Sequence, residues 1–124
     1  MIRFLEKNSI ISWIITLVIA STIFYLSSKT FEGTSKTGYL SIVYHFFAFF
    51  FLALFLLISS TKGNKNKRSI LIISIILTIL YGISDEFHQY FVPGRSSSLF
   101  DILTNSVGIL TASNLYYLRM RFRR

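Results

Sequence analysis

Residues 84–101 read SDEFHQYFVPGRSSSLFD and follow directly on the apolar run SILIISIILTILYGI of residues 69–83. A helix needs about 20 residues to cross the hydrocarbon core of a bilayer, so a crossing that begins in the apolar run extends into the polar stretch. The Pro93-Gly94 pair is a turn signal, and a new apolar run begins at Leu99. This stretch therefore predicts a membrane helix that ends in ionisable residues, a tight turn, and a second helix that returns through the membrane.

The composition of the whole chain is that of a membrane protein. The 124 residues are 52% hydrophobic, include 13 phenylalanines and 7 tyrosines, and carry a net charge of +8, with a mean hydropathy of +0.58. A soluble domain of this length would need far more polar surface. Cysteine is absent, which excludes a disulfide framework, a thiolate metal site and a cysteine nucleophile. The length predicts a single domain over residues 1–124.

Four runs are long and apolar enough to be predicted as membrane spans. They lie at about residues 9–28, 39–60, 69–90 and 99–118. The linkers KTFEGTSKTG (29–38) and FVPGRSSS (91–98) are predicted loops because of their Gly, Ser, Thr and Pro content, and TKGNKNKR is a charged turn. The first run is predicted to be a retained helix, since YLSSKTFEG has no small-residue cleavage site. The predicted fold class is all-α, an integral membrane four-helix bundle.

The basic residues lie between the apolar runs and predict the orientation of the protein. One set comprises Arg3, Lys7, Lys62, Lys65, Lys67, Arg68, Arg119, Arg121, Arg123 and Arg124, and the smaller set comprises Lys29, Lys36 and Arg95. Because positively charged segments stay on the cytoplasmic side, the larger set predicts that both termini and the middle loop are cytoplasmic. The net positive charge is then explained by membrane topology and by contact with anionic lipid, and it does not indicate nucleic-acid binding. The predicted location is the cell membrane, with several crossings.

Polar and ionisable residues lie at matching depths in the predicted spans. His45 and Asn105 are about 9 Å inside the outer boundary, Asp85 about 8 Å inside and His88 about 3 Å inside, at about 1.5 Å per residue. Asp101 is within the first turn of the fourth span. In the predicted topology these side chains meet in the extracytoplasmic half of the membrane. They therefore predict a polar pocket that opens to the extracytoplasmic side.

The predicted pocket offers several kinds of chemistry. The predicted ligand-binding residues are His45, Asp85, Glu86, His88, Gln89, Arg95, Asp101 and Asn105. For catalysis, the candidate acid–base group is His88, which Asp85 or Glu86 would orient. Arg95, with the serines that follow it, is suited to an anionic head group. In a purely structural alternative, Asp85 pairs with His88 at i, i+3, and Arg95 pairs with Asp101 or Asp85.

Metal binding and the position of Glu86 are less clearly indicated by the sequence. A metal site would use His45, His88, Asp85 and Asp101, which supply nitrogen and oxygen ligands. The sequence contains no H-E-x-x-H motif and no paired histidine spacing, so neither a metal nor a cofactor is predicted. Glu86 points about 100° away from Asp85 on a helix. It is either a solvated residue at the helix end or part of the pocket.

The stretch SDEFHQYFVPGRSSSLFDILTNSVG resembles the signature of the VanZ-like family of membrane proteins. The matching positions are Asp85, Glu86, His88, Gln89, Phe91, Pro93, Gly94, Arg95, Asp101, Asn105 and Gly108. The segment HFFAFFFLAL resembles a second motif of the family, a histidine-aromatic pair that opens the second span, here His45-Phe46. The resemblance covers residues 41–108. Ser41 and Ile42 stand where many members have a charged pair, which weakens any role that needs a charge on the second helix.

The resemblance implies a small multi-pass protein of the cell envelope, in a family whose namesake lowers susceptibility to the glycopeptide teicoplanin. The first hypothesis is a non-enzymatic protein whose outer pocket binds a membrane lipid, a lipid-linked or glycopeptide ligand, or a partner protein. The second is a membrane-embedded enzyme acting on a lipid-linked or phosphate-bearing envelope substrate. The third is a transport or assembly subunit, which would require a homo-oligomer or a membrane-protein partner. No nucleic-acid partner is expected.

Overall fold

The computed structural model describes residues 1–30 and 38–123, and its elements are helices. They are α1 (Ile2–Lys7), α2 (Ser9–Ser27), α3 (Tyr39–Thr61), α4 (Arg68–Tyr90) and α5 (Leu99–Arg121). The predicted all-α class is confirmed, and no strand occurs in the described residues. The short helix α1 was not predicted. Most of the predicted loop 29–38 lies outside the described residues, as do Lys36 and Arg124.

Three of the helices are long and apolar enough to cross a membrane, namely α2, α3 and α4. These helices have 19, 23 and 23 residues, close to the roughly 20 that a crossing requires. Helix α5 also has 23 residues, but Asp101, Asn105, Arg119 and Arg121 make it more polar. The membrane character of the chain is confirmed. The fourth crossing, the four-helix bundle and the cytoplasmic termini stay predictions.

Helix α3 is the central element, since it contacts each of the other four helices. The core contains two groups of buried apolar side chains: Ile23, Phe49, Leu52, Ala53, Ile109 and Ala112 in one, and Leu5, Leu57, Ile58, Tyr116 and Met120 in the other. Large apolar side chains on the outer faces are exposed, among them Leu17, Leu80 and Leu110. Exposed apolar faces of this kind are suited to lipid, so packing between helices depends on the smaller inner faces.

The closest approach between α3 and α5 occurs at Gly108. A methyl group added to Gly108 would lie 3.2 Å from the backbone carbonyl carbon of Phe46 and 3.3 Å from the backbone nitrogen of Phe50. Small residues allow membrane helices to approach at the backbone level. This approach holds Asn105, one turn earlier on α5, against His45, which directly precedes Phe46 on α3.

The turn between α4 and α5 brings two polar helix ends together. Gly94 has a φ of +77°, a conformation that glycine adopts without steric cost, as its place after Pro93 predicts. The Thr30 hydroxyl donates a hydrogen bond to the Pro93 carbonyl at 2.7 Å. At the start of α5, the Ser98 hydroxyl accepts from the Asp101 backbone N–H at 3.1 Å, a standard N-cap. The turn thereby sets where α5 begins relative to the end of α4.

Candidate functional site

The predicted site residues lie at one end of the long helices. Because the chain reverses direction at each turn, the end of α2, the start of α3, the end of α4 and the start of α5 meet there. Five of the eight predicted residues are at most 5% exposed: His45, Asp85, Glu86, Gln89 and Asn105. The other three, His88, Arg95 and Asp101, are partly exposed. Ionisable side chains are costly inside a membrane, so their convergence at one end requires an explanation.

Helix α4 divides these residues into two separate groups. Successive side chains on a helix point about 100° apart, and Asp85 contacts α2 while the next residue, Glu86, is close to α3. We call Ser27, Asp85 and Gln89 the Asp85 cluster. We call His45, Glu86, Asp101 and Asn105 the His45 cluster.

The Asp85 cluster joins the end of α2 to α4 through satisfied hydrogen bonds. The Ser27 hydroxyl donates to one carboxylate oxygen of Asp85. The Gln89 amide nitrogen lies 3.2 Å from the other carboxylate oxygen and 2.8 Å from the Ser27 hydroxyl. Both oxygens of Asp85 therefore have donors from within the protein. A buried carboxylate that is satisfied in this way is suited to holding two helices together.

The His45 cluster is packed differently, and two of its polar atoms have no partner. His45 Nδ1 lies 3.0 Å from Asn105 Oδ1 and 3.6 Å from Glu86 Oε1, while His45 Nε2 lies 3.9 Å from Asp101 Oδ1. Glu86 Oε2 accepts a long hydrogen bond, 3.4 Å, from the Ser98 backbone N–H. Glu86 Oε1 and Asn105 Nδ2 are buried without a hydrogen-bond partner. Unpaired buried polar atoms are uncommon in folded proteins and indicate strain or a missing ligand.

The structure places Glu86 inside the protein, so the interpretation of Glu86 as a solvated helix-end residue is wrong. Its side chain is 2% exposed and faces α3 and α5. The burial follows from α4 lying between its neighbours: a residue 100° from the Asp85 face still points at another helix. Hydropathy alone did not show this, because the last turns of α4 are polar on several faces.

His88 and Arg95 contact the end of α2. His88 Nε2 lies 2.9 Å from the Ser28 hydroxyl, and the His88 ring stacks on Phe24 with 4.8 Å between ring centroids. Arg95 Nη1 donates to the Lys29 carbonyl at 3.2 Å.

The predicted structural ion pairs are absent from the structure. Within residues 1–30 and 38–123, no ion pair closer than 4.0 Å joins Asp85 to His88, or Arg95 to either Asp85 or Asp101. His88 and Arg95 reach towards α2 instead, which a reading of α4 and its turn alone could not show.

Three side chains of the His45 cluster lie close enough together to be candidate metal ligands. One ligand atom each from His45, Glu86 and Asp101 lies within 4.8 Å of the other two. This set shares only His45 and Asp101 with the set that the sequence suggests, because Asp85 and His88 face α2. Nitrogen and carboxylate oxygen ligands suit divalent transition metals.

Two grooves in the described part of the chain lie apart from both polar clusters. One apolar groove of about 410 Å³ is lined by α2 residues including Leu17 and Tyr25. A second, of about 190 Å³, lies between α2, α3 and α4 and includes Trp13 and Tyr81. Neither groove is lined by a residue of the His45 cluster or the Asp85 cluster. The predicted open polar pocket therefore stays a prediction.

A further polar cluster, at the opposite end of the helices, was missed in the sequence. Glu6 in α1 is 6% exposed and accepts hydrogen bonds from Arg119 at 2.6 Å, Arg123 at 2.8 Å and the Tyr116 hydroxyl at 3.1 Å. We call these four residues the Glu6 clamp. Topology alone accounts for these arginines, and Arg123 lies two residues beyond the end of α5, so helix spacing does not indicate the contact. The available signal is that Glu6 is the only acid before the first span.

Fold and polar clusters together define a class of protein: a small helical membrane protein with buried ionisable residues at the ends of its helices. A family model described as VanZ/LLP1 matches residues 8–120, nearly the whole chain, and the chain belongs to the VanZ/LLP1 family. The resemblance seen in residues 41–108 is confirmed by this match. No curated protein and no solved structure matches the chain.

Proposed function

We propose that the chain is a small integral membrane protein of the cell envelope with a recognition site at the shared end of α2, α3, α4 and α5. The ligand is the polar head of a membrane amphiphile, either a lipid or a lipophilic glycopeptide of the teicoplanin type. The observation that carries the proposal is the burial of Glu86 and Asn105 with unpaired polar atoms, in a setting where each such group is costly. Where the ligand is the glycopeptide, binding would lower teicoplanin susceptibility by withholding the drug from its target.

The recognition site offers both negatively and positively charged groups to a head group. The carboxylates of Glu86 and Asp101 attract ammonium groups and hydroxyl or amide donors. Arg95 is partly exposed and, through its planar guanidinium, suits a phosphate or carboxylate. Phe91 and Leu99 flank the turn and are 65% and 79% exposed. These apolar side chains support contact with the lipophilic part of the same ligand.

The alternative functions gain no comparable support. An enzyme acting on a lipid-linked or phosphate-bearing substrate was predicted to use His88 oriented by Asp85 or Glu86, but His88 Nε2 contacts Ser28. A transport or assembly role would rest on a homo-oligomer or a membrane-protein partner.

The proposed orientation places the recognition site outside the cytoplasm. Ser97, in the turn between α4 and α5, and Asn64, in the turn between α3 and α4, lie at opposite ends of α4. Since the chain has no cysteine of its own, Ser97→Cys should react with a membrane-impermeant thiol reagent in intact cells. Asn64→Cys should react only after the cells are permeabilised. The reverse pattern would place the site in the cytoplasm and contradict the proposal.

Ligand binding is tested by native mass spectrometry of the detergent-purified protein, with teicoplanin and separately with extracted envelope lipid. The wild type should carry a bound molecule of one of the two. Arg95→Ala and Glu86→Gln should weaken it about tenfold or more, the scale of one lost charge-assisted hydrogen bond. Lys65→Ala, in the exposed turn at the other end, is the matched control and should bind like the wild type.

Two results would overturn the proposed function. One is a folded wild type that carries neither teicoplanin nor lipid. The other is equal binding by all four proteins, which would place the ligand elsewhere on the chain. Melting temperatures of the variants, recorded in the same detergent, separate lost binding from lost folding.

A further inference from the structure

The His45 cluster brings one potential metal ligand from each of three helices to one place. His45 comes from α3, Glu86 from α4 and Asp101 from α5, and their ligand atoms lie within 4.8 Å of one another. His45 and Glu86 are 3% and 2% exposed, and the Asp101 side chain is 17% exposed. His45 and Glu86 are therefore shielded from solvent, and a metal ion could reach these three side chains past Asp101.

The hydrogen bond between His45 and Asn105 determines which histidine nitrogen is free. Asn105 Oδ1 lies 3.0 Å from His45 Nδ1, and an amide oxygen can only accept a hydrogen bond. His45 Nδ1 therefore carries the hydrogen, and in the neutral ring the lone pair is on Nε2. A histidine that ligates a metal usually donates its other N–H to an oxygen acceptor in this way. Asn105 thus holds His45 in the tautomer and orientation of a ligand.

The free nitrogen of His45 faces another electron-pair donor. Nε2 lies 3.9 Å from Asp101 Oδ1, which exceeds hydrogen-bond distance. Two lone pairs that face each other across such a gap are stabilised by a cation between them.

The environment of the Glu86 carboxylate favours a cation at this position. Its Oε1 atom is buried and has no hydrogen-bond partner, and it lies 3.6 Å from His45 Nδ1, on the side of the ring that carries the hydrogen. A buried carboxylate oxygen without a partner is costly. Glu86 Oε2 has only the 3.4 Å contact with the Ser98 backbone N–H, in contrast to the doubly satisfied Asp85 next to it.

We propose that His45 Nε2, Glu86 and Asp101 bind one divalent transition-metal ion, with Zn²⁺ the best match to one imidazole and two carboxylates. Metal–ligand bonds of about 2.0–2.2 Å in a tetrahedral site place ligand atoms about 3.4 Å apart. The ligand atoms now lie within 4.8 Å of one another, so metal binding requires side-chain rotations, including a rotation of Glu86 from Nδ1 towards Nε2. Three protein ligands leave a fourth position open towards the exposed side of Asp101. The ion would join α3, α4 and α5, and the open position would accept water or an oxygen of a ligand.

The proposal is tested with the metal alone. The protein is purified in detergent without a histidine tag, treated with a chelator and titrated with Zn²⁺, and its mass is followed by native mass spectrometry. One Zn²⁺ per chain is expected for the wild type. Glu86→Gln and Asp101→Asn should each weaken binding more than tenfold, and Asn105→Ala, which removes only the orienting acceptor, by about 10–100-fold.

Asp85→Asn is the matched control, since it changes the adjacent acid on the same helix but on the face towards α2. It should keep one Zn²⁺ at wild-type affinity even where its melting temperature falls. The proposal is overturned if the folded wild type takes up no Zn²⁺. It is also overturned if Glu86→Gln and Asp101→Asn bind like the wild type. Because lipid and glycopeptide are absent from the titration, its failure leaves the proposed head-group site to its own test.

Discussion

Gly108→Ala should lower the free energy of unfolding by about 1–3 kcal/mol, the usual cost of inserting an atom group into a packed interface. The new methyl group would overlap the backbone carbonyl oxygen of Phe46, and it would lie 3.2 Å from the carbonyl carbon of Phe46 and 3.3 Å from the backbone nitrogen of Phe50. Backbone atoms of a helix cannot rotate away as a side chain can, so α5 must move from α3. The melting temperature in detergent measures the effect, and any such movement should also weaken Zn²⁺ binding by His45 and Asp101.

Gly82→Ala is the matched control for this prediction. A methyl group at Gly82 would meet the edge of the Phe49 ring at 3.2 Å and Asn105 side-chain atoms at 3.6 Å. The ring can shift, and alanine favours a helix over glycine by about 1 kcal/mol, so the melting temperature should change little. Equal losses at both positions would show that the backbone contact at Gly108 has no special role.

Glu6→Ala should lower the free energy of unfolding by about 1–3 kcal/mol. The change removes the acceptor for Arg119, Arg123 and the Tyr116 hydroxyl, whose nitrogen and oxygen atoms lie 2.6, 2.8 and 3.1 Å from Glu6. Breaking a fully buried ion pair costs more, about 3–5 kcal/mol, but the two arginine side chains are 29% and 31% exposed and water will stabilise them after the change. Melting in detergent at low and high salt measures the loss, which should shrink at high salt.

Arg121→Ala provides the control for the Glu6 clamp. Arg121 lies on the same turn of α5 as Arg119 but is exposed, and no ion pair to it occurs in the described part of the chain. The Arg121→Ala substitution removes one positive charge near the end of α5 without changing the contacts of Glu6. The melting temperature of this variant should therefore stay near the wild-type value. If Glu6→Ala were as mild as Arg121→Ala, the clamp would contribute nothing measurable to stability.

The long helices could be predicted because apolar run length and turn chemistry are local properties of a sequence. The predicted spans and α2 to α5 differ by at most three residues at any end, and Gly94 has the positive φ expected of a turn glycine. The meeting of His45, Asp101 and Asn105 at one level also followed from depth alone, since α3 and α5 both begin at this end and residues at equal depth from their starts lie level.

Which side chains contact one another could not be predicted in the same way. The rotation of α4 between its neighbours decides that Asp85 faces Ser27 and that Glu86 faces His45, and helix rotation depends on packing that no single segment encodes. The same holds for His88, whose partner Ser28 is 60 residues away. The role of Glu6 was hidden because a charge beside a span has an ordinary explanation in topology.

The Glu6 clamp also has a consequence for how the chain is made. Glu6 and its partners Arg119 and Arg123 are separated by 113 and 117 residues, so the contact cannot form on the ribosome before α5 has been synthesised. Until then the Glu6 carboxylate in α1 has no guanidinium partner, and the nascent protein lacks the contact between α1 and the end of α5. A chain interrupted before α5 keeps a Glu6 carboxylate that lacks Arg119 and Arg123.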